Sequence, residues 1–359
     1  MYTIILEINQ KCNLSCKYCY LGEISGSTMA YETAVKSIDM AYRNVKHHRD
    51  NKLWFHFVGG EALLDFKQLQ KMVSYIRDKN KSEQKELIFS LTTNATLLNK
   101  EIVDWLVNND FIVKISIDGD KETNDRNRIS KNSTSVYDNI IKNWPYIKEY
   151  EEKSNKYVQV TNVVTKNNYQ DYFKSLKYLV EELGVKVLDT ALDLTVSWEE
   201  EELDSIMEGI RQSYVFYLDS LKNHREFYWN YINELKQAGQ RKKQFYTCGA
   251  GLITHYVRTD GSLFACSACL DKEFSLGDTD QGLYPDKIEF LKDISGIQNE
   301  SCRSCSIYEY CGARACLMSN LASNQDINKP NKTLCRLEQF KYGFFEEVKE
   351  ELSIPERSQ

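Results

Sequence analysis

Residues 12 to 20 read CNLSCKYCY, which sets Cys12, Cys16 and Cys19 within eight positions. Eight more cysteines fall between residues 248 and 335: Cys248, Cys266, Cys269, the run Cys302-x2-Cys305-x5-Cys311-x4-Cys316, and Cys335. A thiolate serves as nucleophile, disulfide partner or soft metal ligand, and its setting decides among these. The opening MYTIILEIN has no basic segment, long apolar stretch or small-residue cleavage site of the kind an export signal carries. We therefore expect a cytoplasmic protein, in which thiols stay reduced and clustered cysteines read as metal or redox ligands.

Composition narrows the partners. No apolar run reaches the roughly 18 residues of a membrane span, so no membrane partner is expected. Forty-six basic against 52 acidic residues give a net charge of -6, and no Lys/Arg block forms a phosphate-binding stripe. Nucleic acid is therefore also excluded from the expected partners. At 359 residues and 42% hydrophobic content, the chain has material for one large domain and a smaller one.

The elements that must position the thiols follow from hydrophobic periodicity. Six β-rich runs alternate with segments of helical spacing up to residue 222: 3–8, 53–58, 86–91, 112–117, 157–164 and 185–190 lead to helices near 29–46, 65–79, 99–108, 135–148, 169–183 and 199–222. Asn99 is the expected cap of the third helix. This α/β pattern requires parallel strands with right-handed crossovers, and we expect a partial (β/α)6 barrel of the TIM type over 1–222. Residues 223–247 read as a bridging helix, and 248–359 as a small Cys-rich domain with an Asp260-Gly261 hairpin turn and a closing helix over 336–352.

In this frame Cys12, Cys16 and Cys19 follow the first strand at its C-terminal end, where such barrels place their chemistry. No nearby histidine or cysteine offers zinc a fourth ligand. Three thiolates on a four-iron cluster instead leave one iron open. The spacing, with Tyr18 before the last cysteine, resembles the signature of the radical S-adenosylmethionine (SAM) superfamily. That resemblance implies that the open iron chelates the methionine end of SAM, and that reductive cleavage gives a 5′-deoxyadenosyl radical that takes hydrogen from substrate. It also implies SAM contacts at other strand ends. Gly59, Gly60 and Glu61 resemble the family's Gly-Gly-Glu turn for the methionine amino group, and Thr93, Asn94, Ser116 and Asp118 match further family positions. Ser116 and Arg128 are the expected contacts for the methionine carboxylate or ribose.

The later cysteines resemble the SPASM extension of radical enzymes that modify peptides, which binds two auxiliary [4Fe-4S] clusters. The resemblance assigns Cys302, Cys305, Cys311 and Cys335 to one cluster and Cys248, Cys266 and Cys316 to the other, giving three [4Fe-4S] clusters and SAM as cofactors. A zinc ribbon is the alternative reading of paired cysteines. Cys269 lies outside the pattern, either as a fourth ligand of the cluster at Cys248, Cys266 and Cys316 or as a buried free thiol. The x4 spacing before Cys316 departs from the family's usual x3. Sulfatase-maturing members carry an aspartate base directly after the cysteine matching Cys266; here Ser267 stands there, and a hydroxyl is no carboxylate base.

Three functions are weighed. The first is an enzyme that modifies a ribosomally made peptide, forming a thioether or other crosslink by hydrogen abstraction. The second is an anaerobic sulfatase maturase, with Asp271 or Asp278 as a displaced base. The third is a non-catalytic zinc or iron-sulfur protein. The first two imply a peptide or protein substrate and a low-potential donor such as flavodoxin or ferredoxin. Because the chain opens on strand one, the first reading also expects a separate leader-peptide-binding protein, or a grip on substrate through the barrel mouth. The sequence names no catalytic acid or base.

Overall fold

The computed structural model describes residues 1–22, 24–238, 248–292 and 300–352. In chain order its strands and helices are β1 (Tyr2–Glu7), α1 (Tyr31–Val45), β2 (Lys52–Val58), α2 (Phe66–Glu83), β3 (Glu86–Thr93), α3 (Lys100–Asn108), β4 (Phe111–Ser116), α4 (Lys121–Asn127), α5 (Val136–Ser154) and β5 (Gln159–Val164). Then come α6 (Tyr172–Glu181), β6 (Val187–Leu192), α7 (Glu200–Lys222), β7 (Tyr228–Trp229), α8 (Asn230–Ala238), β8 (Thr254–Val257) and β9 (Ser262–Phe264). The chain continues through β10 (Gly277–Asp278), β11 (Gly282–Leu283), α9 (Pro285–Lys292), α10 (Gly312–Ala315), α11 (Leu317–Asn324) and α12 (Lys332–Leu352). Two compact units result, one of Met1–Asn162 with Cys248–Asp293, the other of Val163–Thr247 with Ile294–Gln359.

In the first unit β1 to β5 run parallel in sequence order, and β8 joins β1 on its other side, also parallel. Alternation sorts the side chains. Ile4 and Leu6, Phe55 and Phe57, Leu91, and Phe111 and Ile115 are fully buried on one face, where Phe89 stacks on Phe111 at 5.4 Å. The opposite face carries His56, Ser90, Thr92 and Lys114. His56 pairs through Nδ1 with Ser90 at 2.6 Å and through Nε2 with Thr92 at 3.3 Å. It is thus a hydrogen-bonded, half-buried residue of the sheet. Asn99 caps α3 as expected, accepting from the Ile102 N–H at 3.0 Å. The Asp260-Gly261 turn joins the antiparallel pair β8 and β9, with Gly261 at φ +88°.

In the second unit β6 pairs in parallel with β7, and α7, α8 and α12 pack together. This corrects the bridging helix expected over 223–247. Tyr228 and Trp229 form a strand with Trp229 buried and Tyr228 half exposed, and the helix begins only at Asn230. Two residues carry no period for a sequence reading to detect. The rest of that segment, 239–247, lies outside the described residues. The structure also adds α4, whose buried positions Thr123, Asn124 and Asn127 are polar and give no apolar repeat. The closing helix is longer than expected, starting at Lys332.

Candidate functional site

The three thiols sit on a loop that hydrogen bonds attach to neighbouring strand ends. Leaving β1, the chain pairs with the turn after β2: the Gly60 N–H donates to the Asn9 carbonyl at 2.9 Å, and the Glu61 N–H to the Lys11 carbonyl at 2.7 Å. Glycine is required at position 60 by space alone. A Cβ on Gly60 would lie 2.3 Å from the Lys11 carbonyl oxygen and 3.1 Å from the Cys12 Cβ. Further along, the Ser15 N–H donates to the Ile129 carbonyl at 2.7 Å and the Lys17 N–H to the Asn127 carbonyl at 3.0 Å. The loop is therefore held on one side by the turn after β2 and on the other by the segment after α4.

Glu61 is buried and organises its surroundings. Its Oε1 accepts from the Leu63 N–H at 3.1 Å and the Thr93 hydroxyl at 2.8 Å, and its Oε2 from the Asn94 N–H at 2.7 Å. Burial raises its pKa, opposed by these three donors. The Asn94 side chain turns to the cysteine loop, donating to Asn13 at 2.9 Å and lying 3.8 Å from the Cys12 sulfur. The Leu14 N–H also points at that sulfur, at 3.4 Å.

Beyond β4, Asp118 is fully buried. It accepts from the Tyr18 hydroxyl at 2.8 Å and from Arg128 Nη2 at 3.1 Å, while the guanidinium lies 5.4 Å from the centre of the Tyr18 ring. Buried Asp118 and Arg128 and half-buried Tyr18 thus form one group beside Cys16. The Arg128 charge favours the Cys16 thiolate and the Asp118 charge opposes it, but burial is the largest influence and raises that thiol's pKa. The Arg128 Nε is buried without a hydrogen-bond partner. Ser116 ends β4 on the same face as Lys114, half-buried.

Burial pushes the Cys12 thiol up to about 11, and the charges of Glu61, Cys16 and Cys19 add to the effect. A metal cation reverses this balance and deprotonates such thiols, so the cradle suits a cationic cluster that its N–H donors to sulfur would further stabilise. Among the described residues no three His, Cys, Asp or Glu side chains converge as a single ion requires, which bears on the zinc and the cluster readings alike.

The later cysteines divide between the units. Cys266 and Cys269 share a turn in the first, where Cys269 is buried and its thiol is pushed up to about 12 by burial and then by the Cys266 charge. Cys248 belongs to that unit and Cys316 to the other. In the second unit the Cys305 N–H donates to the Cys302 carbonyl at 2.9 Å, and Cys305 and Cys311 pack with Ile307 and Leu334. Burial raises the Cys335 thiol, and the Cys302 and Cys305 charges add to it, so this set shares one neighbourhood. The four residues between Cys311 and Cys316 form the single turn α10, and the Arg314 N–H points at the Cys311 sulfur at 3.5 Å. None of the eleven cysteines is joined in a disulfide.

Sequence reasoning missed Asn9 and Asn13, the side chains that bind the loop to the strand ends. Asn9 is buried and donates to the Glu61 carbonyl at 3.0 Å and to Asp65 at 2.7 Å. Their partners at the strand ends lie 52 to 83 residues away, so no local signal in the sequence marks them.

Residues 6–207, more than half of the chain, match the Radical SAM superfamily. The chain belongs to that superfamily, which carries a [4Fe-4S] cluster and uses SAM. Among its relatives are an uncharacterised protein of Methanocaldococcus jannaschii, 30% identical over 74% of this chain and 85% of that one, and the radical SAM cyclopropyl synthase TigE of Paramaledivibacter caminithermalis, 22% identical over 86% and 66%. A cysteine-type anaerobic sulfatase-maturating enzyme of Clostridium novyi is 23% identical over 96% of this chain and 94% of that one. Among solved structures, native anSMEcpe with AdoMet and the Cp18Cys peptide superposes with TM-score 0.77 at 21% identity, covering 98% of this chain and 99% of that one. Streptococcus suis SuiB bound to precursor peptide SuiA gives TM-score 0.62 at 15% identity, covering 93% and 76%. These likenesses show the fold, an α/β partial barrel. No helix among the described residues is long and apolar enough to cross a membrane.

Proposed function

We propose that this chain is a radical SAM maturase of the SPASM type that modifies a ribosomally made peptide by hydrogen abstraction and forms a thioether or other crosslink. The observation that carries the enzymatic reading is the attachment of the Cys12–Cys19 loop to the strand-two turn and to the segment after α4, which gathers three thiols, Glu61, Asn94 and the Tyr18–Asp118–Arg128 group. In our reading Cys12, Cys16 and Cys19 hold the SAM-cleaving cluster. Gly59, Gly60, Glu61, Thr93, Asn94, Ser116 and Arg128 line the SAM site, with Tyr18 and Asp118 fixing Arg128. Bound there, the reduced cluster and SAM supply a 5′-deoxyadenosyl radical. The protein's part is to orient and to exclude water.

The segment from Cys248 onward is proposed as the auxiliary domain. Cys302, Cys305, Cys311 and Cys335 would hold one cluster, and Cys248, Cys266 and Cys316, with Cys269 as the fourth thiol, the other. Of the two carboxylates that could stand in for the maturase base, Asp271 makes no side-chain cap bond and its charge acts on the Cys269 thiol, so it is the one that formylglycine formation would use; the other features weigh against that reaction. Ser267 follows Cys266 directly, and Asp278 is occupied with its own hairpin, accepting from the Asp280 and Gln281 N–H groups at 2.8 Å each and from the Tyr284 hydroxyl at 3.1 Å. Peptide-bound relatives of the same fold support a peptide substrate, and a flavodoxin or ferredoxin is the proposed donor.

Iron and sulfide analysis after anaerobic reconstitution tests this. Three four-iron clusters require about twelve irons per chain, falling to about eight in the Cys12/Cys16/Cys19→Ala variant. Zinc with little iron would end the reading. Dithionite and SAM should then yield 5′-deoxyadenosine, and conversion of a sulfatase-derived peptide to formylglycine would replace the crosslinking assignment with the maturase alternative.

A further inference from the structure

The second unit encloses a cavity of about 180 Å³ at the C-terminal end of β6, with walls from β6, α7, α8 and α12. Parallel α/β sheets bind ligands at this end of their strands. Helical spacing explains the lining. Ile206 and Ile210 stand one turn apart on α7, and Leu334, Leu337, Glu338 and Lys341 share one face of α12. Gly209 lets α7 close on Tyr172 of α6, because a Cβ there would lie 2.7 Å from the Tyr172 Cβ.

One end of the cavity is polar. Lys341 Nζ lies 2.5 Å from Glu338 Oε1 and 3.2 Å from Glu234 Oε2. Glu338 is held further by the Gly312 N–H, which donates to its Oε2 at 2.7 Å. Burial lowers the Lys341 pKa, but the two carboxylates outweigh it and keep the ammonium charged. Two carboxylates on one ammonium leave a net negative charge. Glu234 is 49% exposed, against 14% for Glu338 and 13% for Lys341, so Glu234 stands at the entrance. The Tyr231 hydroxyl, three residues before Glu234 on the same helix face, lines the cavity fully buried and has no hydrogen-bond partner. A buried hydroxyl left unpaired is costly and rare.

Aliphatic walls, an unpaired hydroxyl and a surplus carboxylate together specify a complement. We infer that this cavity binds an aliphatic ammonium group, its chain against Ile206, Ile210, Leu334 and Leu337 and its nitrogen donating to the Tyr231 oxygen and the Glu234 carboxylate. A carboxylate ligand would meet two glutamates, and Lys341 is already shared between them. A lysine side chain of a peptide and a free alkylamine carry the same chemistry. Assignment to a peptide rests on the maturase reading above, whereas cation binding itself does not.

Isothermal titration of the reconstituted protein tests this with n-butylammonium and with acetyl-lysine methylamide; 1-butanol and butyrate serve as controls. Both ammonium probes should bind, and Tyr231→Phe and Glu234→Gln should each weaken them about tenfold, the scale of one charge-assisted hydrogen bond. Tyr231→Phe keeps the ring that stacks on Trp229 at 5.2 Å, so its loss reports the hydroxyl and not the fold. Tighter binding of the lysine amide supports the peptide source; tighter binding of n-butylammonium overturns that source and retains the site. No heat from either cation, butyrate or 1-butanol binding equally well, or unchanged binding in both variants overturns the inference. None of these outcomes depends on 5′-deoxyadenosine formation, which tests the enzymatic reading separately.

Discussion

A carboxylate at the end of a sheet can hold a ligand or hold its own loop, and Glu61 is placed to do both. Two backbone N–H groups and the Thr93 hydroxyl depend on it. Glu61→Ala leaves these donors unpaired in a buried place, at about 1–3 kcal/mol for each group. Glu61→Gln retains an oxygen for Leu63 and Thr93 and loses only the bond from Asn94. Denaturant midpoints should therefore fall much further for alanine than for glutamine. Iron content should survive in the glutamine variant while SAM affinity drops about tenfold, as expected for loss of one charged contact. Wild-type SAM affinity in Glu61→Gln would leave the carboxylate with a purely structural role. Arg128 and Asp118 follow the same logic: each is buried against the other, so removing one strands a charge.

Backbone approach, more than propensity, decides which elements can carry the site. Gly60 has no room for a methyl group because its neighbour is the Lys11 backbone, which cannot rotate away. Gly60→Ala should break the Glu61 to Lys11 hydrogen bond and reduce iron retained after desalting. Gly343 in α12 is the control. It is exposed with nothing near its missing Cβ, so Gly343→Ala should stabilise the protein by about 0.5–1 kcal/mol. Unchanged iron in Gly60→Ala would show that the cysteine loop does not depend on this contact. The contrast also shows what was legible in sequence. β1 to β6, their helices and the Asn99 cap carried clear periods or capping residues, and Cys12, Cys16, Cys19 and the Gly-Gly-Glu turn carried spacing. β7 was too short and α4 too polar to register. The parallel pairing of β8 with β1 joins Thr3 to Thr254, and no local signal encodes a partner so distant in the chain. The roles of Asn9 and Asn13 and the Tyr231 cavity were invisible for the same reason: they exist only once distant segments meet.

For the whole chain, buried titratable groups set how stability responds to pH, and they act in opposite directions. Burial raises the Glu7 and Glu61 carboxyls, so the native state keeps protons that the unfolded chain releases above about pH 4.3. Stability from this source falls as pH rises through their folded values. His56 and His255 do the reverse. Burial pushes them down to about 3 and about 4, so the unfolded chain takes up protons below about 6.5 that the native chain refuses. Their neutral burial is free of penalty above that value, and stability is lost as pH falls toward their folded values. His255 is the cleaner probe. It is fully buried, pairs with the Tyr2 hydroxyl at 2.8 Å through Nδ1, and has no partner at Nε2. Between pH 7 and pH 5 it should cost about 2 kcal/mol, from 1.36 kcal/mol per unit of separation. His255→Phe removes the titration and keeps a ring in the same space. Denaturant melts of both proteins at the two pH values share every other acid-sensitive group, including cluster loss, so the difference in their pH slopes isolates this histidine. A slope shallower by about that amount in the variant is the expected result. Identical slopes would mean that His255 is charged or hydrated in the native protein, and that β8 is less tightly sealed against β1 than its burial implies.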